Sequence, residues 1–166
     1  MGHFDKLQAK KIVAENVSGG LQGGVVLNGA SDVVLTAAQT GSVCVFDAAG
    51  ASSFTLPAPE KGLHFTFITA VTATADHVVK TATDDAGFLG GGIIVNTTAD
   101  QLDDVSAATD GNNDHITMNG TTTGGHVGST INVWAISDSD AAKCWVAQVV
   151  LVGSGNTVTP FGDAQL

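Results

Sequence analysis

Short runs of β-forming residues recur along the chain about every ten residues, separated by Gly, Asn, Asp or Pro. Runs of this length are typical of strands, and their regular spacing is typical of a sandwich or barrel. They lie at 24–28, 32–36, 42–48, 53–56, 63–69, 77–83, 88–95, 115–119, 128–137, 143–153 and 157–161. No apolar periodicity of a helix persists beyond about two turns after residue 20. We therefore expect an all-β fold, a single compact β-sandwich or barrel of about ten short antiparallel strands.

Three stretches of the chain allow more detailed predictions. The run LHFTFIT alternates apolar Leu63, Phe65 and Phe67 with polar neighbours, which is the pattern of a strand with one buried face. The run FLGGGIIV at 88–95 holds three consecutive glycines, which indicate a bulge or a close backbone approach. Residues 96–113 are the least strand-like stretch, and we expect them to form a long loop.

Two of the three prolines, Pro57 and Pro59, stand in one connection. Neither has the N–H that a sheet ladder needs, so the strand at 53–56 must end before them. The chain then turns through residues 57–62, and a new strand leaves with LHFTF. This pair of prolines predicts a fixed corner between two strands that also blocks edge pairing there.

Charge is distributed unevenly over two predicted regions, an N-terminal arm at 1–20 and an all-β domain at 21–166. The chain has 16 acidic residues and six basic ones, a net charge of −10. This balance argues against nucleic acid and anionic membranes as partners, since both are bound through clustered Lys or Arg. Three of the lysines, Lys6, Lys10 and Lys11, nevertheless lie in the arm.

The cysteines and tryptophans all lie in strand-like runs. Cys44 and Cys144 are the only cysteines, and we expect them to be buried free thiols because two cysteines do not make a secreted disulfide framework. Trp134 and Trp145 stand in the most hydrophobic C-terminal runs, where core packing is the expected role of both. The chain shows no secretion signal and no apolar run of ~20 residues, so we expect a soluble protein made in a cytoplasm.

The polar residues form no catalytic or metal-binding motif. None of the five histidines belongs to an H-x-x-x-H or H-E-x-x-H pair. Asp76–His77 and Asp114–His115 are neighbours in sequence, and adjacent residues of a strand point to opposite faces. The Asp-rich DGNND at 110–114 is interpreted as a turn rather than a calcium loop, because it lacks the EF-hand spacing. We expect no enzyme activity, no cofactor and no metal.

One long segment resembles small virion structural proteins of tailed bacteriophages and prophages. It reads VVLTAAQTGSVCVFDAAGASSFTLPAPEKGLHFTFI, from Val33 to Ile68, and continues in TMNGTTTGGHVGSTINVWAI and KCWVAQVVLVGSG. The resemblance covers about two-thirds of the chain and identifies no catalytic residue. It implies a capsid decoration (cement) protein that binds the outside of the assembled head and stabilises it. It also implies a homotrimer on the virion surface, assembled in the host cytoplasm, with the major capsid protein as its partner.

The arm is the expected contact with the shell, because its lysines suit acidic groups and its apolar residues can anchor. The predicted capsid-contact residues are Phe4, Lys6, Leu7, Lys10, Lys11, Ile12 and Val13. Two other classes remain open. One is a tail-fibre or receptor-binding β domain of a phage, for which a long upstream shaft would be expected. The other is a soluble ligand-binding β-barrel, which needs an apolar pocket with a few convergent polar groups.

Overall fold

The structure is a computed structural model that describes residues 23–98, 101–107, 112–139 and 143–163. Within these ranges the chain forms twelve strands and a single short 3₁₀ helix, Ala37–Gln39. The strands are β1 (Val25–Leu27), β2 (Asp32–Val34), β3 (Val43–Phe46), β4 (Ser52–Thr55), β5 (His64–Thr69), β6 (His77–Lys80), β7 (Phe88–Asn96), β8 (Gln101–Ser106), β9 (His115–Met118), β10 (Thr130–Ala135), β11 (Trp145–Gly153) and β12 (Phe161–Gly162). The predicted all-β class is confirmed. The predicted arm at 1–20 lies outside the described residues.

The strands form two mixed sheets. The larger has seven strands in the order β1-β3-β5-β10-β11-β7-β8, and the smaller has five in the order β12-β9-β6-β4-β2. Five of the ten described strand pairings are parallel and five are antiparallel. The prediction of antiparallel strands was therefore wrong for half of the pairings.

The parallel pairings arise because strands β1 to β6 alternate between the two sheets. Strands β1, β3 and β5 lie side by side in the large sheet, and β2, β4 and β6 lie side by side in the small one. Each strand therefore pairs in parallel with the strand two places before it. The chain winds as a flattened coil, and the turns between these strands are corners between the two sheets. We call β1–β6 the coiled half.

One buried cluster includes side chains from both sheets. Phe54 of the small sheet contacts Phe46 edge-on, with the ring centroids 5.0 Å apart, and Phe67 at 5.4 Å, both from the large sheet. Strand β5 buries Phe65 and Phe67 and turns His64 and Thr66 outward, so its predicted alternation is confirmed. Burial of these aromatic side chains is the main stabilising contribution expected of such a cluster.

The cysteine prediction is confirmed, and the tryptophan prediction is confirmed for one residue of two. Cys44 and Cys144 are free thiols with no exposed surface, and burial raises the pKa of Cys44 to about 12. Trp145 is fully buried, but Trp134 is 40 % exposed on the outer face of the large sheet. Trp134 occupies an outward position of β10, whose alternate residues Ile131, Val133 and Ala135 fill the core.

The predicted long loop at 96–113 was wrong over part of its length. Strand β8 lies within it and pairs antiparallel with β7, with Ile93 opposite Asp104 and Val95 opposite Leu102. The glycines of β7 have the predicted role of close backbone approach. A Cβ added at Gly92 would overlap the carbonyl oxygen of Val149 in β11.

The proline corner connects β4 of the small sheet to β5 of the large one. Its far end is fixed by Asp138, whose Oδ1 accepts a hydrogen bond from the Lys61 backbone N–H at 2.7 Å. The Lys61 Nζ lies 2.9 Å from the other carboxylate oxygen. The pKa of Asp138 is lowered mainly by the hydrogen bond from the Lys61 backbone N–H, and less by the one from the Lys61 ammonium group. Pro59 is buried at this corner and Pro57 half-buried, so the predicted change of direction is confirmed.

Candidate functional site

The shell-contact residues predicted from the sequence all lie outside the described residues. They are Phe4, Lys6, Leu7, Lys10, Lys11, Ile12 and Val13. The described body begins at Gly23, where a Cβ would lie 2.8 Å from the carbonyl oxygen of Gly41. This close approach admits only glycine and sets the point from which the chain enters β1. The start of the described body is thus at one edge of the large sheet.

The exposed side chains of that edge are apolar apart from Asp32 at the start of β2. Strand β1 is the edge of the large sheet and β2 is the edge of the small one, so both have one side without a described strand partner. Val25, Leu27 and Val34 on these strands are exposed, Val34 to 71 %. An exposed edge with apolar side chains is a ready template for pairing with another chain. We call β1 and β2, with these three side chains, the apolar edge.

The opposite edge of the large sheet is acidic. Strand β8 carries Asp103 and Asp104. The Asp103 Oδ2 accepts a hydrogen bond from the Thr157 hydroxyl at 2.5 Å, and Asp104 is exposed. Charged side chains on an edge strand oppose pairing with further strands. Strand β8 also exposes Leu102 to 67 %, but β1 has no charged residue, so the apolar edge is the better docking edge.

The sequence carried a signal for the apolar edge that periodicity analysis missed. The runs VVL at 25–27 and VVL at 33–35 are continuously apolar rather than alternating. In a sheet, such a run indicates contact on both faces of the strand. Val26 and Val33 pack against the core, whereas Val25, Leu27 and Val34 point outward. The outward members of both runs are therefore candidates for contact with a partner.

A buried Asp–His pair lies in the small sheet. The Asp114 Oδ1 is 2.6 Å from the His115 Nδ1, and both residues are buried. The prediction that these neighbours point to opposite faces was wrong, because Asp114 precedes the first residue of β9 and does not follow the alternation of the strand. Nε2 of the same ring packs closely against Gly162 of β12. The pair therefore joins β9 to the end of the chain within a closed environment.

The other histidine in a DH pair, His77, is buried separately from its neighbour Asp76. Its ring stacks on Phe46 with centroids 4.6 Å apart, and Nε2 lies 2.9 Å from the carbonyl oxygen of Ala48. Burial lowers the pKa of His77 below 6.5, against smaller opposing effects of the backbone bonds and of Asp76. These contacts give His77 a packing role inside the coiled half.

A shallow cavity of about 380 Å³ lies on the outer side of the small sheet. Asp32, Ser53, Asp76 and Lys80 are among its lining residues, and the Ser53 hydroxyl donates to the Asp32 carboxylate at 2.7 Å. The cavity is open and five of its seven lining residues are polar, unlike the enclosed apolar pocket of a ligand-binding barrel. Of its two carboxylates, that of Asp32 is already paired with a protein hydroxyl.

Within the described ranges, no group of three or more His, Cys, Asp or Glu side chains is placed to hold a metal ion. The DGNND turn is only partly described, since 108–111 lie outside those ranges. No helix in the described part is long and apolar enough to cross a membrane. Comparisons of the chain with protein-family models, curated proteins and solved structures found no match.

Proposed function

We propose that this chain is a capsid decoration protein of a tailed bacteriophage, without enzyme activity, which binds the outer surface of the assembled head as a homotrimer. The resemblance of the segment from Val33 to Ile68 supports the class. The apolar edge carries the proposal, because it gives a β module a surface suited to docking. The described chain also starts at this edge, so an attached arm and the edge would act at one place.

Docking at this edge has two physical components. The outward side chains Val25, Leu27 and Val34 supply apolar area, and unpaired backbone groups of an edge strand can pair with a strand of the shell. The arm lysines Lys6 and Lys10 would orient the contact with acidic groups of the major capsid protein. Exposed charge pairs weaken as salt increases, whereas apolar contacts do not.

The test is binding to heads of the encoding phage that lack this protein, measured by co-sedimentation. We expect Val34→Asp to reduce the bound fraction about tenfold or more, because it places a charge in an apolar contact (~1.4 kcal/mol per tenfold). The matched control is Val127→Asp, which changes a valine that is 57 % exposed in a loop away from the edge. This control is expected to bind like the wild type.

A triple variant with Lys6, Lys10 and Lys11 changed to Gln tests the arm. We expect weaker head binding at low salt, and a smaller difference from wild type at high salt. Normal head binding by both this variant and Val34→Asp contradicts the proposed attachment. Binding to tails but not to heads would instead identify the tail-fibre or receptor-binding class.

A further inference from the structure

The outward residues of the seven-stranded sheet are mostly apolar, but a polar row of Thr66, Asn132 and Gln148 crosses its middle. The strand registers align one row of outward residues across all seven strands. In spatial order the row is Leu27, Val45, Ile68, Thr130, Val150 and Ile93, and Asp104 ends it. A second row places Trp134 between His64 and Val146. Among the described outward residues of this face, Asp104 is the only Asp, Glu, Lys or Arg.

The outer face of the five-stranded sheet is different. Its corresponding row is Val34, Thr55, Lys80, His115 and Gly162, and the next is Asp32, Ser53, Val78 and Thr117. Six of these nine residues are polar or charged, and three of the nine, Ser53, Val78 and His115, are buried. The outer face of the five-stranded sheet is thus more polar and more charged than the outer face of the seven-stranded sheet.

The whole of this face is close in size to what a protein interface takes from each partner. With strands of three to nine residues, a rise of ~3.3 Å per residue and a spacing of ~4.8 Å, seven strands present roughly 700 Å². A stable interface takes about 800 Å² from each partner. Large apolar patches on a protein surface mark interaction sites. Trp134, 40 % exposed, and Val150, 44 % exposed, lie near its centre.

The charge of the molecule limits the surfaces through which copies of it can meet. Each copy carries a net charge of −10, so two copies repel each other wherever their acidic surfaces meet. Copies can approach closely only through a surface from which the acidic residues are missing, and this face is such a surface. A basic partner would instead require acidic groups on the face, and only Asp104 at its edge provides one.

We propose that the outer face of the seven-stranded sheet is the surface through which copies of this chain associate. Three such sheets, arranged around a three-fold axis as the sides of a prism, would bury their apolar rows against one another. This inference rests on the self-association in the proposed function. Val25 and Leu27 belong both to this face and to the apolar edge, whereas Val34 belongs to the apolar edge alone.

The test compares Val150→Asp and Trp134→Ser with Val127→Asp, all in the full chain, by light scattering at micromolar concentration. We expect about three chains per particle for the wild type and for Val127→Asp, and a single chain for the two face variants. Circular dichroism checks that each variant retains its strands. Should Val150→Asp unfold, Trp134→Ser, which shortens a side chain already 40 % exposed and introduces no charge, still decides the question.

Fluorescence quenching by iodide gives a second measurement. The signal of Trp134 is the difference between the wild type and Trp134→Phe, since Trp145 is fully buried. We expect quenching of this signal to increase severalfold on dilution to single chains. A wild type that stays a single chain at micromolar concentration overturns the inference. So does a trimer that persists in both face variants, or one in which iodide reaches Trp134 freely.

Head binding separates this inference from the proposed function. Val34→Asp is expected to form trimers that bind heads poorly, because the residue belongs to the small sheet. If the wild type forms trimers through this face but does not bind heads, the decoration function is refuted and the proposed self-association face stands. Head binding by a wild type that remains monomeric would refute the interface and retain decoration.

Discussion

At the residue scale, Gly92 allows β7 to lie close to its neighbour β11. A Cβ at this position would overlap the Val149 carbonyl oxygen, which is backbone and cannot rotate away. We expect Gly92→Ala to lower the free energy of unfolding by about 1–3 kcal/mol, as overpacking does. Gly24→Ala is the matched control, because nothing lies within 4 Å of a Cβ built there. Urea denaturation of both variants measures the difference, and equal stabilities would contradict the close approach.

At the element scale, β8 depends on its acidic residues to remain an edge. Asp104 ends the apolar row of the large sheet opposite Ile93, and Asp104→Val would extend that row to the edge. We expect this variant to form aggregates larger than the wild-type oligomer, because an apolar edge strand recruits further strands. Asp85→Val changes the same charge at an exposed turn and is expected to stay soluble. Light scattering over time compares the two, and equal behaviour would refute this role of Asp104.

Elements with a clear period were predictable from sequence, and elements stabilised by pairing were not. Strand β5 alternates strictly, so its buried face could be assigned to Phe65 and Phe67. Strand β8 has only Leu102 and Val105 as apolar residues, on opposite faces, and two aspartates between them. Its strand conformation comes from pairing with β7, a tertiary effect that overrides local preference.

The turns between strands and the Asp114–His115 contact also depend on tertiary structure that sequence patterns do not specify. Pro57 and Pro59 predicted where β4 ends, but a turn does not encode which sheet the next strand joins. The parallel pairings of the coiled half were therefore missed. The contact between Asp114 and His115 was missed because alternation holds only within a strand. The sequence runs containing Val25 and Val34 were found as strands, whereas their exposure depends on which strands lie at the edges.

At the scale of the whole molecule, stability should depend on pH through His77. Its pKa is lowered by burial, so below pH ~6.5 the unfolded chain binds a proton that the native state does not. The stabilisation by neutral His77 is thus complete above pH ~6.5 and is lost as the pH falls, by up to about 1.4 kcal/mol per pH unit.

The measurement is chemical denaturation at pH 7.5 and at pH 5.5 for the wild type and for His77→Gln. The wild type should lose more stability between the two pH values than the variant does, because glutamine takes up no proton. Any lower stability of the variant at pH 7.5 reports lost packing against Phe46 and cancels in the comparison. Equal losses in both proteins would show that His77 does not carry this dependence.

The coiled half also bears on the order in which the protein forms as it is synthesised. Strands β3, β4, β5 and β6 each have a pairing partner that leaves the ribosome before them, because each pairs with the strand two places earlier. Strand β7 cannot complete its pairing on one side until β11 has been synthesised, and β6 cannot until β9 has been. The first half of the chain can therefore add one strand at a time during translation, whereas the second half closes only when nearly the whole chain has emerged.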